Sequence, residues 1–100
     1  MAFDPSVGGE IRKTRPAVIV SNKAANMALN RVTVVPLSTK TTKVFPGQAL
    51  VVLSGESRKA MADQLTTAAK ERMRSKFGEL SASDVAAVEN AILLHLGIRR

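Results

Sequence analysis

The tightest constraint in this chain is the stretch EIRKTRPAVIVSN, Glu10 to Asn22. Arg12, Lys13 and Arg15 run directly into Pro16, and Ala17-Val18-Ile19-Val20 follow without a polar break. Side chains alternate between the two faces of a strand, so an uninterrupted apolar run is read as a strand buried on both faces. Pro16 lacks an N–H, which suits the first residue of a strand or an edge position. The chain must therefore build a sheet around this run. It also places three cations at the mouth of a buried strand, where burial alone does not explain them.

The rest of the chain supplies partners for that strand. Asp4-Pro5 and Gly8-Gly9 near the start are turn chemistry, and Ala2-Phe3 reads as the tail of a strand. A strand is predicted over Arg15–Ser21, then a helical turn or loop bracketed by Asn22 and Asn30. The β-branched run RVTVVPLS gives a second strand over Arg31–Ser38, and TKTTKVFPG (Thr39–Gly47) a polar, basic loop. A third strand covers Gln48–Leu53. Ser54-Gly55-Glu56-Ser57 turns the chain, and Lys59–Leu65 is a weaker fourth strand. Ala68–Arg74 reads as a short helix and Lys76–Leu80 as a last strand.

A long C-terminal helix closes the chain. Ser81 with Asp84 three residues on is a capping-box pattern with Asp in place of Glu. Val85, Val88, Ile92 and Leu96 recur at helical spacing. Gly97 ends the helix, and Arg99 and Arg100 suit the negative end of its dipole. The expected fold class is mainly β with a C-terminal helix (α+β), and the 100 residues make one domain, residues 1–100.

Composition limits the chemistry. Without cysteine there are no disulfides, thiolate metal sites or thiol nucleophiles, which fits a reducing cytoplasm. No segment has the apolar length of a membrane span, and no secretion signal opens the chain, so a soluble cytoplasmic protein is expected. The net charge of +7 makes a polyanion the first partner to consider. Aromatic residues are only 3%, so base stacking is not expected to drive binding.

His95 is the single histidine and lies in the apolar helix, where a structural role is the simpler reading. A two-histidine ribonuclease mechanism and a Ser-His-Asp triad are thereby excluded. No residue cluster has metal-ligand spacing, no Gly-rich loop joins a strand to a helix, and no cofactor is implied. What remains is cationic and hydroxyl-bearing. Arg12, Lys13 and Arg15 precede one strand, and Ser38, Thr39, Lys40, Thr41, Thr42 and Lys43 close the next. If the two strands are neighbours, the groups converge, and an arginine beside a hydroxyl can hold a phosphate and stabilise charge building on it. RNA carries its own nucleophile in the 2′-hydroxyl, so such a site works without a metal. The same residues also read as solvated loop charges.

GGEIRKTRPAVIVSN, then VTVVPLS, then KAMADQ, together resemble the MazF/PemK toxins of bacterial type II toxin–antitoxin systems. The likeness extends through FGELSASD into the C-terminal helix. It implies a barrel-like sheet related to SH3 barrels and to the gyrase poison CcdB. It also implies a homodimer that cleaves single-stranded RNA, sequence-specifically and without metal, and that is held by a MazE/PemI-like antitoxin with an acidic tail. The resemblance puts the catalytic arginine at Arg15 and the catalytic hydroxyl at Ser38. It puts Glu10, Asp63 and Gln64 at the RNA site, with an acid–base role for Asp63, alongside the cations Arg12, Lys13, Lys40 and Lys43 and the hydroxyl of Thr39. Family members usually begin with a strand ahead of the D-P turn. Here the chain starts just before FDPSVGGE, so that strand is expected to be missing and one sheet edge open. Two other readings stand beside the ribonuclease: a CcdB-like, gyrase-binding toxin without enzymatic activity, and an inactive truncated remnant that binds RNA or antitoxin.

Overall fold

The computed structural model describes residues 6–10 and 16–99, with backbone alone for 6–10 and 74–77. The strands are β1 (Ser6–Glu10), β2 (Pro16–Ile19), β3 (Arg31–Ser38), β4 (Gln48–Leu53), β5 (Glu56–Met61), β6 (Thr66–Ala69) and β7 (Met73–Glu79). The helices are α1 (Lys23–Ala28) and α2 (Ala82–Leu96). All pairings are antiparallel, in the order β4-β5-β3-β2-β1-β7, with β6 added to β3. The order has two ends, β4 and β7. The barrel-like sheet expected from the resemblance is thus, among the described residues, an open one.

The apolar run of β2 is buried on both faces, as its sequence requires. Val18 and Val20 enter one cluster with Val35, Leu37, Val51 and Ile92, while Ala17 enters a second with Val32, Val34 and Ala68. The larger cluster lies under α2, which buries Val88, Ala91 and Ile92. β4 shows the alternation of a strand covered on one face: Ala49, Val51 and Leu53 are buried, Leu50 and Val52 exposed.

A proline inside β3 needs an explanation, because a central strand normally uses every N–H. β2 lies along one edge of β3. Thr33 faces it, accepting from Val20 N at 2.8 Å and donating its own N–H to Ser21 Oγ at 3.0 Å. By alternation Val32, Val34, Pro36 and Ser38 turn their backbone groups to the other edge. That edge is shared: β6 pairs with residues 31–34, and β5 with Leu37 and Ser38. Pro36 stands at the handover, where its missing donor leaves no ladder bond unmade.

Four local expectations are corrected. Gly8-Gly9 is not a turn but part of β1, paired with β2 and β7, and the register shifts around Gly8 mark the irregular pairing glycine tolerates. The turn after β4 takes only Ser54 and Gly55, at φ 52° and 81°. Two positive φ values fit the tight hairpin turn that matches strand twist, so Glu56 is already paired with Leu53 and β5 begins three residues before Lys59. Met61 ends that strand, and Ala62–Gln64 form a 3₁₀ turn. Ala68–Arg74 is not a helix. Thr66–Ala69 pair with β3 and Ala68 is sealed in the second cluster, so sheet pairing overrides the helical preference of alanine; only Lys70–Arg72 make a 3₁₀ turn.

The C-terminal helix is confirmed with two changes. Ser81 Oγ accepts from Asp84 N at 3.2 Å and Gly97 takes the left-handed cap at φ 70°. Asp84 does not reach back to complete a capping box; its carboxylate accepts from Val52 N at 2.9 Å and so fastens the helix start to β4. Leu96 is half exposed rather than in the core, and Ala91 fills the stripe instead. Ile92 is 2% exposed and central to the contact between α2 and the sheet. Ile92→Ala is expected to cost about 2–5 kcal/mol in urea unfolding, since the cavity adds to the lost transfer energy.

Candidate nucleic-acid interface

The end of β3 and the middle and end of β5 form the floor of a cleft of about 260 Å³. It is lined by Pro16, Leu37, Ser38, Thr39, Lys40, Arg58 and Met61. Antiparallel pairing of β2 with β3 (Ala17 opposite Pro36) brings Pro16 to the end of β3, so the strand start and the hydroxyl-bearing strand end do meet. The described chain resumes at Pro16; Arg12, Lys13 and Arg15 lie outside the described residues. Glu10 is in β1, with only its backbone described.

Ser38 is held in a defined state. Its Oγ accepts from Lys40 N at 3.1 Å, which turns the chain out of β3. With that lone pair used, the hydroxyl proton is left to donate to an acceptor in the cleft. Thr39 and Lys40 are exposed at the rim. Lys59 is paired with Ser38 across the strands, and its Nζ donates to the carbonyl of Lys43 at 3.2 Å, tying the basic loop down beside the cleft.

Asp63 and Gln64 are exposed on the 3₁₀ turn just past Met61, and neither lines the cleft. Asp63 is bound to the loop instead. Gln48 Nε2 donates to both of its carboxylate oxygens at 3.3 Å, Gln48 Oε1 accepts from Phe45 N at 3.0 Å, and Asp63 N donates to the Gly47 carbonyl at 3.0 Å. Gln64 Nε2 donates to Met61 Sδ at 3.6 Å. Gly47 needs its glycine: φ is +86°, and a Cβ would stand 3.3 Å from that of His95. His95, read as structural in the sequence, packs here against the loop.

Arg58 is the cleft residue that sequence reasoning missed. It falls between the turn expected at Ser54–Ser57 and the strand expected from Lys59, whereas β5 begins at Glu56. The signal was Ser54-Gly55, a dipeptide suited to a two-residue hairpin, which puts Arg58 within a strand. Among the described residues no set of three His, Cys, Asp or Glu gathers for a metal ion, and no helix is long and apolar enough to cross a membrane.

The described residues thus form an antiparallel sheet with two helices, in which a hydroxyl and cationic groups meet at the end of β3. Residues 1–96 match the model of the PemK-like, MazF-like toxins of type II toxin–antitoxin systems, and the chain belongs to that family. It is 36% identical over 105 aligned positions to Endoribonuclease MazF9 of Mycobacterium tuberculosis, covering 96% of this chain and 89% of that protein. Its fold is that of a mycobacterial endoribonuclease in complex with its cognate antitoxin (TM-score 0.85, 22% identity, 100% of this chain and 99% of the other). The Mycobacterium tuberculosis toxin MazF-mt6 is similar (0.83, 22%, 97% and 100%), as is a MazE–MazF complex from Deinococcus radiodurans (0.81, 21%, 98% and 98%).

Gln48→Ala leaves Phe45 N without its acceptor. Amide exchange at Phe45 is expected to speed roughly two- to tenfold, the loss of one modest hydrogen bond, with the exchange of β3 amides unchanged.

Proposed function

We propose that this protein is an endoribonuclease toxin that cleaves single-stranded RNA in the cytoplasm and is held in check by an antitoxin with an acidic segment. The observation that carries the reading is Ser38. Its hydroxyl is oriented by Lys40 N, set in a cleft with Lys40 and Arg58, and joined by Pro16 from the strand that Arg15 precedes. The similarity to a protein named an endoribonuclease supports this reading over gyrase binding. The net charge of +7 suits both a polyanionic substrate and an acidic inhibitor.

The reaction asks little of the protein beyond positioning and charge. The ribose 2′-oxygen attacks the adjacent phosphorus, and the bond to the 5′-oxygen of the next nucleotide breaks. The 2′-hydroxyl proton passes to a base, and the leaving oxygen takes one from an acid. The products are a 2′,3′-cyclic phosphate and a 5′-hydroxyl. Ser38 donates to a non-bridging oxygen as its negative charge grows, and Arg15 supplies the cation at the same phosphate. Neither step draws on a metal. The family resemblance assigns proton transfer to Asp63, which stands on the turn beyond Met61, outside the cleft lining, with its carboxylate held by Gln48. Glu10, Arg12, Lys13, Thr39, Lys40, Lys43, Asp63 and Gln64 serve RNA binding, and two copies of the chain form the working unit.

The test is incubation with a long single-stranded RNA in EDTA, with the 5′ ends mapped by primer extension. The wild type is expected to give discrete cuts. Ser38→Ala should lose about 10²–10³-fold in rate, the usual effect of removing one donor to a developing oxyanion. A folded wild type that leaves the RNA intact would overturn the proposal, and full-rate cleavage by Asp63→Asn would remove that residue from proton transfer.

A further inference from the structure

Arg58 is held in the cleft by less than its charge warrants. Its side chain is 20% exposed, and its ion pair is with Glu56 two residues earlier on β5. The contact is a single one, from a terminal guanidinium nitrogen to Glu56 Oε2 at 3.1 Å, and the Glu56 side chain is 73% exposed. A guanidinium has five N–H donors in a rigid fork, and one monodentate bond engages few of them. An exposed carboxylate is also a weak competitor, because water and salt screen it. β5 therefore presents a partly desolvated, incompletely paired cation to the cleft that Ser38 and Lys40 line.

We propose that Arg58 binds a backbone phosphate of the RNA next to the one held at Ser38, with Glu56 as a weak internal competitor that the phosphate displaces. This rests on the ribonuclease reading above and deepens it by adding a phosphate-binding residue. Three features favour a phosphate. The fork geometry of arginine matches two phosphate oxygens. Ser38, beside it in the cleft, has a hydroxyl proton free to donate. Lys40 adds positive charge in the same cleft. The tight turn at Ser54-Gly55 makes the arrangement possible by starting β5 early enough to carry Arg58 into the strand.

The experiment is fluorescence-anisotropy titration of a labelled single-stranded oligonucleotide with 2′-O-methyl riboses, which cannot be cleaved, at several salt concentrations. Wild type, Arg58→Ala, Arg58→Lys and Glu56→Gln are compared, each checked for folding by circular dichroism. Arg58→Ala is expected to bind about ten- to a hundredfold more weakly and to lower the slope of log affinity against log salt by about 0.7, one phosphate contact. Arg58→Lys keeps the charge and so the slope, but loses affinity because the fork is gone. Glu56→Gln binds more tightly than wild type. A folded Arg58→Ala with unchanged slope overturns the proposal, as does unchanged or weaker binding by Glu56→Gln. If Arg58→Ala fails to fold, Arg58→Lys decides, and wild-type affinity there overturns it. The readout is independent of cleavage. A wild type that binds in this way but does not cut RNA defeats the enzymatic reading alone, while a cutting enzyme indifferent to Arg58 defeats only this one.

Discussion

β3 is hydrogen-bonded along both edges, to β2 on one side and to β6 and then β5 on the other. Every other pairing hangs from it. β4 reaches the sheet through β5, and β1 and β7 reach it through β2. Because β3 alternates regularly, Val32 and Val34 serve one cluster while Val35 and Leu37 serve the other. A slip of one residue in its register would exchange the two sets and put Ser38 on the wrong face. The position of the candidate site is therefore a consequence of how the core is packed.

Much of this was legible in the residues. The apolar run behind Pro16 and the β-branched run of β3 could hardly be anything but buried strands. Ser81 and Gly97 marked the ends of α2 by cap chemistry that depends only on neighbours in sequence. What could not be read were outcomes decided at a distance. Ala68 is a helix former by itself and becomes strand only because β3 offers an edge. Asp84 looked like half of a capping box, but Val52 N offered it a partner on another element. Leu96 kept the helical period and yet ran past the end of what the sheet could cover.

The site divides along the same line. That Ser38 meets the start of β2 followed from expecting two neighbouring strands with cations and hydroxyls at matching ends. The connection of Asp63 to Gln48, and through it to Phe45, joins residues far apart in sequence by side-chain bonds alone. No spacing rule points to it. Arg58 falls between these cases, since one turn type, correctly chosen, would have brought it into view.

Pro36 stands where β6 gives way to β5, and no cross-strand bond binds that edge of β3 at this point. Beyond it the end of β3 travels with β5 and β4; before it, β3 travels with β6. Pro16 belongs to the wing built from β2, β1 and β7, and Arg58 to the opposite wing. The cleft thus takes its lining from both sides of β3, with Pro16 from one wing and Arg58 and Met61 from the other. Pro16 and Arg58 therefore flank the end of β3 from its two edges, one through β2 and the other through β5. Whatever occupies the cleft meets two separately anchored parts of the sheet, and its fit reports on the register of both pairings of β3 at once.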